Sequence, residues 1–351
     1  MPINKRLHNV NIRTRGLLPT PNQVREDFPL TQNAEKTVLQ GRTAIRAILE
    51  KNDTRKLLIV GPCSIHDLGA AKEYAHKLKE LSSKIESQFV TVMRVYFEKP
   101  RTTTGWKGFI NDPSLDESCD ISTGVKLARE LLLELAELGL PAGTEALDPI
   151  VPQYVADLIS WYAIGARTTE SQTHRELASG LSAPVGIKNG TDGSIQVATN
   201  ALKSVAHPHN FLGITGDGQC AVYETTGNQH GHIVLRGGKQ PNYDSVNVKN
   251  CEDQLRAAGL AANIMIDCSH GNSSKDHTRQ PLVLEDCINQ IKAGNKSIIG
   301  FMLESNLSEG KQSINGNPNK LTYGVSVTDA CIDWKQTEDL LLAACEKLED
   351  S

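Results

Sequence analysis

The stretch LLIVGPCSIHD at residues 57–67 has a form that recurs along this chain: a short apolar run followed by a potential metal ligand or a charged side chain. The eight runs of this form are Leu57–Val60, Phe89–Met93, Pro141–Thr144, Trp161–Ala166, Pro184–Ile187, His232–Leu235, Asn263–Ile266 and Ser297–Leu303. Enough chain for one helix separates successive runs, and this alternation is typical of a closed barrel of parallel strands. Because such barrels carry their chemistry at the carboxyl ends of the strands, the pattern also predicts where the functional site lies.

Apolar residues spaced three to four apart predict the helices around these strands. They fall near residues 36–51, 68–82, 122–138, 150–160, 171–180, 194–205, 245–257, 279–292 and 336–348. Two segments lie outside a minimal barrel: a polar, proline-punctuated arm at 1–35, and FLGITGDGQCAVY at 211–223, which predicts a β-hairpin around Gly-Asp-Gly. The predicted fold is therefore α/β: a (β/α)8 TIM barrel over 36–351, with an N-terminal arm and a hairpin inserted at about 210–224.

The composition argues against several classes of function. Lys and Arg number 37 against 41 Asp and Glu, so the formal net charge is −4 and neither nucleic acid nor a membrane surface is expected as a partner. No apolar run is long enough to cross a bilayer, and the basic N-terminus lacks the apolar stretch of a secretory signal. The eight cysteines form no C-x-x-C pair, which favours reduced thiols in the cytoplasm.

Cations at the predicted strand ends indicate an anionic ligand. The seven are Arg94, Lys99, Arg101, Lys107, Arg167, Lys188 and Arg236. The first four lie within MRVYFEKPRTTTGWKG at 93–108, where Pro100 disfavours a regular helix and leaves them on a loop. A solvated basic loop is the ordinary explanation of such a segment. Seven cations at one barrel mouth, however, repel one another unless anions bind there, so the pattern favours phosphorylated substrates.

A second group of side chains has the chemistry of a metal site. Its members are Cys63, His270, Glu304 and Asp329. They follow the first, seventh and eighth strands, which are neighbours in a closed barrel, so the four could converge. A thiolate, an imidazole and two carboxylates suit one borderline divalent ion, namely Mn, Fe, Co or Zn. His66, Cys268 and His277 lie nearby, and spacing alone does not exclude them.

Eight longer motifs resemble class I 3-deoxy-D-arabino-heptulosonate 7-phosphate (DAHP) synthase, in its feedback-regulated microbial subgroup. The motifs are GPCSIHD at 61–67, MRVYFEKPRTT at 93–103, GWKG at 105–108, GARTTESQ at 165–172, PVGIKNGTDGS at 184–194, LRGGK at 235–239, DCSHGNSSKD at 267–276 and YGVSVTDAC at 323–331. The similarity extends over nearly the whole chain, including the arm and the hairpin. It implies a transferase that condenses phosphoenolpyruvate with erythrose 4-phosphate and releases phosphate, the first step of the shikimate pathway.

The resemblance also implies roles for the residues at the mouth. The implied substrate-binding residues are Arg94, Arg101, Thr102, Arg167, Lys188 and Arg236; the catalytic residues are Lys99, Glu145, Cys63 and His270; the metal ligands are Cys63, His270, Glu304 and Asp329. Arg101 and Thr102 are expected to take the phosphate of the aldose, and the other cations of that set take phosphoenolpyruvate. Lys99 is expected to protonate an oxygen, with Glu145 orienting that lysine or a water. The metal ion is expected to act as a Lewis acid on the aldehyde.

In the family, the arm and the hairpin build an inhibitor site for an aromatic amino acid. The matching positions are Asn9, Pro152, Gln153, Ser182, Phe211 and Gly213. Phenylalanine-sensitive members tend to carry serine at the position of Gly213, whereas glycine leaves room for a phenolic hydroxyl that Asn9 could bind. Tyrosine is therefore favoured over phenylalanine, although Gly213 could also be simply a hairpin glycine. Family members are usually homodimers or homotetramers, and an arm that reaches a neighbour's inhibitor site needs at least a dimer.

Two other functions are compatible with some of the same residues. One is the related 3-deoxy-octulosonate 8-phosphate synthase, which uses arabinose 5-phosphate; KPRT at 99–102 and the inhibitor-site extensions favour the four-carbon sugar. The other is a non-catalytic barrel that only binds phosphate. The joint presence of Lys99 and the four predicted metal ligands argues against that alternative, because a binding module needs no Lewis acid.

Overall fold

The computed structural model describes residues 7–13, 16–314 and 317–349. Ten strands form within them: β1 (Lys56–Gly61), β2 (Phe89–Arg94), β3 (Ala142–Glu145), β4 (Trp161–Ile164), β5 (Val185–Lys188), β6 (Asn210–Ile214), β7 (Cys220–Glu224), β8 (Gly231–Leu235), β9 (Ile264–Asp267) and β10 (Ile298–Glu304). Eight of them close a parallel barrel in the order β1-β10-β9-β8-β5-β4-β3-β2, and β6 pairs only with β7. The predicted barrel is confirmed.

Ten α-helices accompany the strands within the described residues. They are α1 (Pro21–Asp27), α2 (Gln32–Leu49), α3 (Leu68–Lys84), α4 (Ile121–Glu137), α5 (Pro152–Val155), α6 (Gln172–Gly180), α7 (Ile195–Val205), α8 (Ser245–Ala257), α9 (Gln280–Lys292) and α10 (Trp334–Glu349). The polar arm contains α1, which the apolar spacing did not predict. Thr20 caps this helix by accepting from the backbone N–H of Gln23, and the Gln23 side chain bonds back to Thr20.

The helix predicted at 150–160 is wrong in extent. It consists of the single turn of α5 and a 3-10 turn at Ala156–Leu158. Two arginines from other helices bind the backbone carbonyls here: Arg129 donates to Tyr154 O at 2.9 Å, and Arg42 donates to Ile159 O at 3.0 Å. These long-range bonds satisfy carbonyls that a longer helix would otherwise have to pair internally, so the irregular backbone is stable.

The barrel interior is filled by side chains, as in a packed core and not a pore. Trp161 of β4 is completely buried and donates its indole N–H to Nε2 of His232 on β8, at 3.1 Å. Gly186 on β5 makes room for this indole, because a Cβ there would lie 2.5 Å from Trp161 Cζ2. Ile45 and Ile48 of α2 belong to the same apolar cluster, so α2 closes the end of the barrel opposite the mouth.

The arm is hydrogen-bonded both to the hairpin and to α5 of the barrel. Asn22 of α1 donates its backbone N–H to Gly216 O and its side-chain amide to Asp217 Oδ1, both at 2.8 Å, while Arg25 donates to the carbonyl of Gln153 on α5. The outer face of the hairpin is apolar, with Leu212 exposed and paired across the two strands with Val222. Among the residues that the structure describes, no helix is long and apolar enough to cross a membrane.

Candidate active site

The carboxyl ends of the barrel strands meet at one mouth, and their register aligns the predicted functional residues. Glu304, the last residue of β10, is paired with Gly61, which precedes Cys63 by two positions. Asp267, the last residue of β9, is paired with Met302. Gly61 permits β1 and β2 to approach closely, because a Cβ at this position would lie 2.7 Å from the carbonyl oxygen of Arg94.

Three of the four predicted metal ligands form a compact group at the mouth. The Sγ of Cys63 and carboxylate oxygens of Glu304 and Asp329 all lie within 4.8 Å of one another. His270 lies beside this group, with Nε2 3.6 Å from Glu304 Oε1. A thiol, two carboxylates and an imidazole at these distances fit a borderline divalent ion, and Cys63 and Glu304 are buried while Asp329 is exposed.

The three other candidate ligands near the predicted metal site, namely His66, Cys268 and His277, do not join this group. Cys268 is buried, and its Sγ donates weakly to Ile266 O at 3.9 Å. His277 pairs with Glu309, with 2.9 Å between Nε2 and Oε1. None of the three, His66 included, belongs to the group of possible metal ligands in the described part of the chain.

Lys99 bonds to Cys63 and not to Glu145. Its Nζ lies 3.1 Å from Cys63 Sγ and 3.2 Å from the Cys63 carbonyl oxygen. Burial raises the pKa of the Cys63 thiol, and Glu304 raises it further, while Lys99 acts in the opposite direction. Burial would also raise the pKa of Asp329, but Lys99 and His270 hold it below its usual range. The ammonium group of Lys99 thus stabilises negative charge on the side of the mouth that carries the possible metal ligands.

Glu145 has an unpaired oxygen. The residue is buried, and among the described residues nothing hydrogen-bonds its Oε1. The carboxylate lies over Gly165, where a Cβ would lie 2.2 Å from that oxygen. No hydrogen bond joins Glu145 to Lys99 within the part of the chain that the structure covers. The geometry therefore favours the second predicted role of Glu145, the orientation of a water, because its Oε1 is available to accept one.

Arg94 is fully buried and held on every side. It donates to Glu304 Oε1 at 2.9 Å, and to the carbonyl oxygens of Pro62 and Cys63 at 3.1 Å. Its guanidinium lies 3.6 Å from the centre of the Tyr96 ring, a cation–π contact. These contacts fix the guanidinium before any substrate arrives.

Asp267 is a site residue that the sequence reasoning did not select. It is completely buried; its Oδ2 accepts from Lys188 Nζ at 2.9 Å and lies 2.9 Å from His270 Nδ1. Burial alone would raise its pKa, but His270 and Lys188 hold it well below the usual range, so this carboxylate is ionised. The signal was present in DCSH at 267–270: an acid at a strand end beside a metal-binding histidine is a common supporting pair.

The other cations form the rim of the mouth. Arg101 is exposed and donates its Nε to Trp106 O at 2.7 Å. Thr102 is also exposed, and its Oγ1 lies 3.4 Å from Nε of Arg167, so the loop after β2 approaches the end of β4. Arg236, after β8, is half-buried. The seven predicted cations therefore comprise two buried, ion-paired residues (Arg94 and Lys188), the partly buried Lys99 beside Cys63, and a rim of four that are exposed or half-buried.

Three buried asparagines shape the loop that carries Arg236. Asn189 Oδ1 accepts the backbone N–H of Arg236 at 2.8 Å, and Asn242 Oδ1 accepts that of Gly237 at 2.7 Å. Asn272 Oδ1 in turn accepts the backbone N–H of Asn242 at 2.8 Å. Gly237 has φ +75°, and a Cβ there would lie 2.5 Å from the backbone of the next loop, so only glycine fits. Sequence reasoning missed these amides because their partners are distant in the chain.

The six predicted effector residues lie in four separate parts of the chain. Pro152 and Gln153 are on α5, Phe211 and Gly213 are on β6, and the Ser182 carbonyl accepts from Arg46 at 3.0 Å in the loop before β5. Asn9 lies in an exposed turn, and within the described residues no hydrogen bond joins it to the other five.

Tyr223 adds an aromatic ring to the inner face of the hairpin that sequence reasoning missed. Its ring centre lies 5.9 Å from that of Phe211. It also covers Gly213, where a Cβ would lie 2.5 Å from Tyr223 Cδ2. Packing against Tyr223 therefore also favours glycine at 213, in addition to the predicted room for an effector hydroxyl.

Comparison with known proteins extends these observations. Residues 27–342 match the model of the DAHP synthetase I family. The Tyr-sensitive phospho-2-dehydro-3-deoxyheptonate aldolase of Salmonella typhimurium is 56% identical over 335 residues, which is 95% of this chain and 94% of that protein. The Phe-sensitive enzyme of Escherichia coli is 56% identical over 93% of each chain. A solved structure of the aldolase from Francisella tularensis superposes with a TM-score of 0.94 at 51% identity, covering 97% of this chain and 99% of that one.

Proposed function

The chain belongs to the DAHP synthetase I family, and on that premise we propose that its barrel mouth condenses phosphoenolpyruvate with erythrose 4-phosphate and water, giving DAHP and inorganic phosphate. One observation supports this proposal most strongly. The possible metal ligands Cys63, Glu304 and Asp329 lie within 4.8 Å of one another in a mouth that also holds the cations of four other strands. A site that only bound phosphate would need the cations but not the thiol and carboxylates.

Phosphoenolpyruvate binds to cations of two kinds. Arg94 and Lys188 are buried at the floor of the mouth and orient the carboxylate end, while Arg167 and Arg236 at the rim take the phosphate. Near neutral pH the two substrates together carry about five negative charges, which the cations of the mouth balance. The chain's main contribution is to hold two mutually repelling anions in one orientation, which can supply several kcal/mol of the barrier reduction.

Arg101 and Thr102 bind the phosphate of the aldose. The distance of 3.4 Å between Thr102 Oγ1 and Arg167 Nε supports this role. It places the loop proposed to bind the aldose phosphate beside Arg167, which is proposed to bind phosphoenolpyruvate. The two phosphates therefore share one cationic rim, and the reacting ends of both substrates point inward toward Lys99.

Carbon 3 of phosphoenolpyruvate then attacks the aldehyde carbon of erythrose 4-phosphate, and positive charge develops at carbon 2. Lys99 donates a proton to the developing alkoxide oxygen. Glu145, whose buried Oε1 lacks a partner among the described residues, accepts a proton from the water that adds to carbon 2. Phosphate leaves the resulting tetrahedral intermediate with cleavage of the bond between carbon 2 and the phosphate oxygen, while the hydroxyl added at carbon 2 becomes the ketone of DAHP and its proton passes to the departing phosphate.

Cys63, His270, Glu304 and Asp329 would hold one divalent ion, which fits their donor set. When bound, such an ion polarises the aldehyde oxygen as a Lewis acid. The thiol and carboxylates indicate the borderline ions Mn, Fe, Co and Zn in preference to Mg or Ca. Lys99 supports this site by donating to the Cys63 sulfur, which favours the thiolate form that a metal requires.

The reaction is tested by measuring phosphate release from phosphoenolpyruvate with erythrose 4-phosphate and with arabinose 5-phosphate, side by side. We expect turnover with the four-carbon aldose to be at least about 100-fold faster. Faster release with arabinose 5-phosphate would instead identify the octulosonate synthase. Phosphate-dependent binding without release from either pair would identify a non-catalytic barrel.

Tyrosine is the proposed effector, bound by Asn9, Pro152, Gln153, Ser182, Phe211 and Gly213. Overall identity does not decide between effectors, since relatives named Tyr-sensitive and Phe-sensitive are both 56% identical to this chain. Gly213 is the residue that supports tyrosine. In a titration we expect tyrosine to inhibit at a concentration at least about tenfold below that of phenylalanine, and the reverse order would contradict the assignment.

The arm at 1–35 is proposed to serve control and assembly, and 36–351 to serve catalysis. Asn9 has no hydrogen bond to the other five effector residues within this chain's described part, which supports an arm that completes the inhibitor site of a second copy. The enzyme is then a homodimer or homotetramer. All eight cysteines are unpaired, as befits a protein of the reducing cytoplasm.

A further inference from the structure

Asp267 is bonded at once to a proposed metal ligand and to a proposed substrate-binding residue. Its Oδ2 lies 2.9 Å from Nδ1 of His270 and 2.9 Å from Nζ of Lys188. Its Oδ1 accepts from the hydroxyl of Ser269 at 2.6 Å and from the backbone N–H of the same residue at 3.0 Å. No part of the residue is exposed, so both oxygens are fully committed to these partners.

The contact with His270 determines what that histidine can do. The Nδ1 of His270 lies 2.9 Å from Asp267 Oδ2 and 2.7 Å from the hydroxyl oxygen of Ser269, which itself donates to Asp267 Oδ1. An imidazole that carries its proton on Nδ1 presents Nε2 as the acceptor, and Nε2 is the nitrogen that faces Glu304 at 3.6 Å. His270 also has φ +56°, a conformation that a non-glycine residue keeps only when its surroundings fix it. Asp267, directly and through the Ser269 hydroxyl, therefore orients the ring and favours the tautomer with the proton on Nδ1.

The contact with Lys188 is equally specific. Lys188 is buried, and Arg94 and Arg236 add like charge in its vicinity. A buried ammonium without a counter-ion is strongly unfavourable, so the Asp267 carboxylate allows this lysine to remain charged at the floor of the mouth. Because His270 and Lys188 share Oδ2, a change in the contact of one of them with this oxygen alters the electrostatic environment of the other.

We propose that Asp267 is a positioning residue that couples the proposed metal site to the proposed phosphoenolpyruvate site. It sets the affinity for the divalent ion through His270 and the affinity for phosphoenolpyruvate through Lys188. This inference rests on the proposed function for the identity of the ligands. A residue that served only the fold would change stability without changing both affinities.

The test compares Asp267→Asn with Glu252→Gln by isothermal titration calorimetry on chelator-treated protein. Mn²⁺ is titrated alone, and phosphoenolpyruvate is titrated in the absence of metal. Glu252 is a matched control because it is a buried carboxylate on α8, bonded to Ser297 Oγ at 2.6 Å and to Arg256 at 3.1 Å.

For Asp267→Asn we expect the dissociation constant of Mn²⁺ to rise about 10- to 100-fold and that of phosphoenolpyruvate to rise at least about tenfold. For Glu252→Gln we expect both within about twofold of the wild type, whatever the change in melting temperature.

A second pair of variants tests the coupling if Asp267→Asn does not fold. Lys188→Met leaves the Asp267 charge to His270 alone, so Mn²⁺ should bind at least about threefold more tightly. Arg236→Met removes another cation of the mouth that has no hydrogen bond to Asp267, and Mn²⁺ affinity should be unchanged. Equal effects of the two substitutions would mean that only bulk charge matters, and would overturn the coupling.

The failures of the two proposals are distinguishable. A wild-type protein that forms no DAHP would overturn the proposed function. A wild type that forms DAHP, together with an Asp267→Asn variant that loses affinity for neither or for only one of the two ligands, would overturn the role of Asp267 alone.

Discussion

The buried charges at the mouth pair residues proposed to act on the substrates with residues of the proposed metal site or its support. Arg94 bonds Glu304 at 2.9 Å, and Lys188 bonds Asp267 at the same distance. Lys99 lies 3.1 Å from the Cys63 sulfur. In each pair a cation proposed to act on a substrate meets a group that binds the metal or orients a ligand. The proposed metal ligands and the residues proposed to bind phosphoenolpyruvate are therefore interleaved, and removal of a single partner leaves an uncompensated buried charge or donor.

Cys63→Ala tests the metal site at the scale of one residue. The substitution removes the sulfur from the group of ligands, so we expect Mn²⁺ binding to weaken and DAHP formation to fall at least about 100-fold. The side chain is small, so the free energy of unfolding should decrease by only about 1 kcal/mol. Cys251→Ala, at another buried cysteine on α8, is the matched control and should retain both properties. Near-normal turnover of Cys63→Ala would remove Cys63 from the ligand set.

His232 makes the stability of the barrel depend on pH. Burial lowers its pKa to about 4 from an ordinary value of 6.5. The unprotonated Nε2 accepts the Trp161 indole N–H. The unfolded chain takes up the proton below about pH 6.5 and the folded chain only near pH 4, so the free energy of unfolding falls between these values. The loss at pH 5 is about 2 kcal/mol.

Urea denaturation of the wild type and of His232→Gln at pH 7.5 and pH 5.0 checks this expectation. Glutamine keeps an acceptor for the indole but does not titrate, so the variant should lose about 2 kcal/mol less than the wild type on acidification. The same loss in both proteins would show that His232 does not titrate in the way its burial indicates.

At the scale of elements, the local sequence pattern predicted regular structure well and failed where distant contacts decide. Every barrel strand was predicted because parallel strands covered by helices read as short apolar runs. The helix at 150–160 was predicted wrongly because its carbonyls are taken by Arg42 and Arg129, which no local spacing reveals. The helix α1 was missed because it is short and its apolar side is small, although Thr20 and Gln23 form a recognisable capping box.

Removal of the hairpin should separate control from catalysis. Asn210 and Glu224 are paired across the base of the hairpin, so an Asn-Gly turn can join them in place of residues 211–223. We expect the shortened enzyme to keep its kcat and its KM for phosphoenolpyruvate within about twofold and to lose inhibition by tyrosine. Inhibition that persists at the wild-type concentration would place the effector elsewhere.

At the scale of the whole molecule, the sequence predicted which residue types meet at the mouth but not how they pair. Cys63, His270, Glu304 and Asp329 were selectable because strand order in a closed barrel is known from the alternation alone. Asp267 was not selected although its histidine partner is only three residues away, because its second partner, Lys188, is distant in sequence. Asn189 and Asn272 near Arg236 were not selected because they bond to loops far apart in sequence. The bond of Lys99 to Cys63 instead of Glu145 likewise depends on side-chain geometry, which a motif does not carry.

The outer face of the hairpin and the arm predict the assembly. Leu17 is 96% exposed, Leu212 83% and Val222 72%, which is unusual for a protein that stays monomeric. Light scattering after size exclusion should give two or four times the chain mass of 38.2 kDa. Leu212→Lys with Val222→Lys should lower that mass, whereas Val246→Lys, at an exposed valine on α8, should not. A wild type of single-chain mass, or a double variant of unchanged mass, would contradict this assembly.

We propose that one barrel mouth uses both a bound metal ion and a set of phosphate-binding cations to carry out a single condensation. The most direct test treats the purified enzyme with a chelator, removes the chelator, and measures DAHP formed from phosphoenolpyruvate and erythrose 4-phosphate before and after Mn²⁺ is added. We predict less than about 1% of the original rate without metal and near-complete recovery with it. Full activity in the chelated protein, or no DAHP under either condition, would contradict the claim.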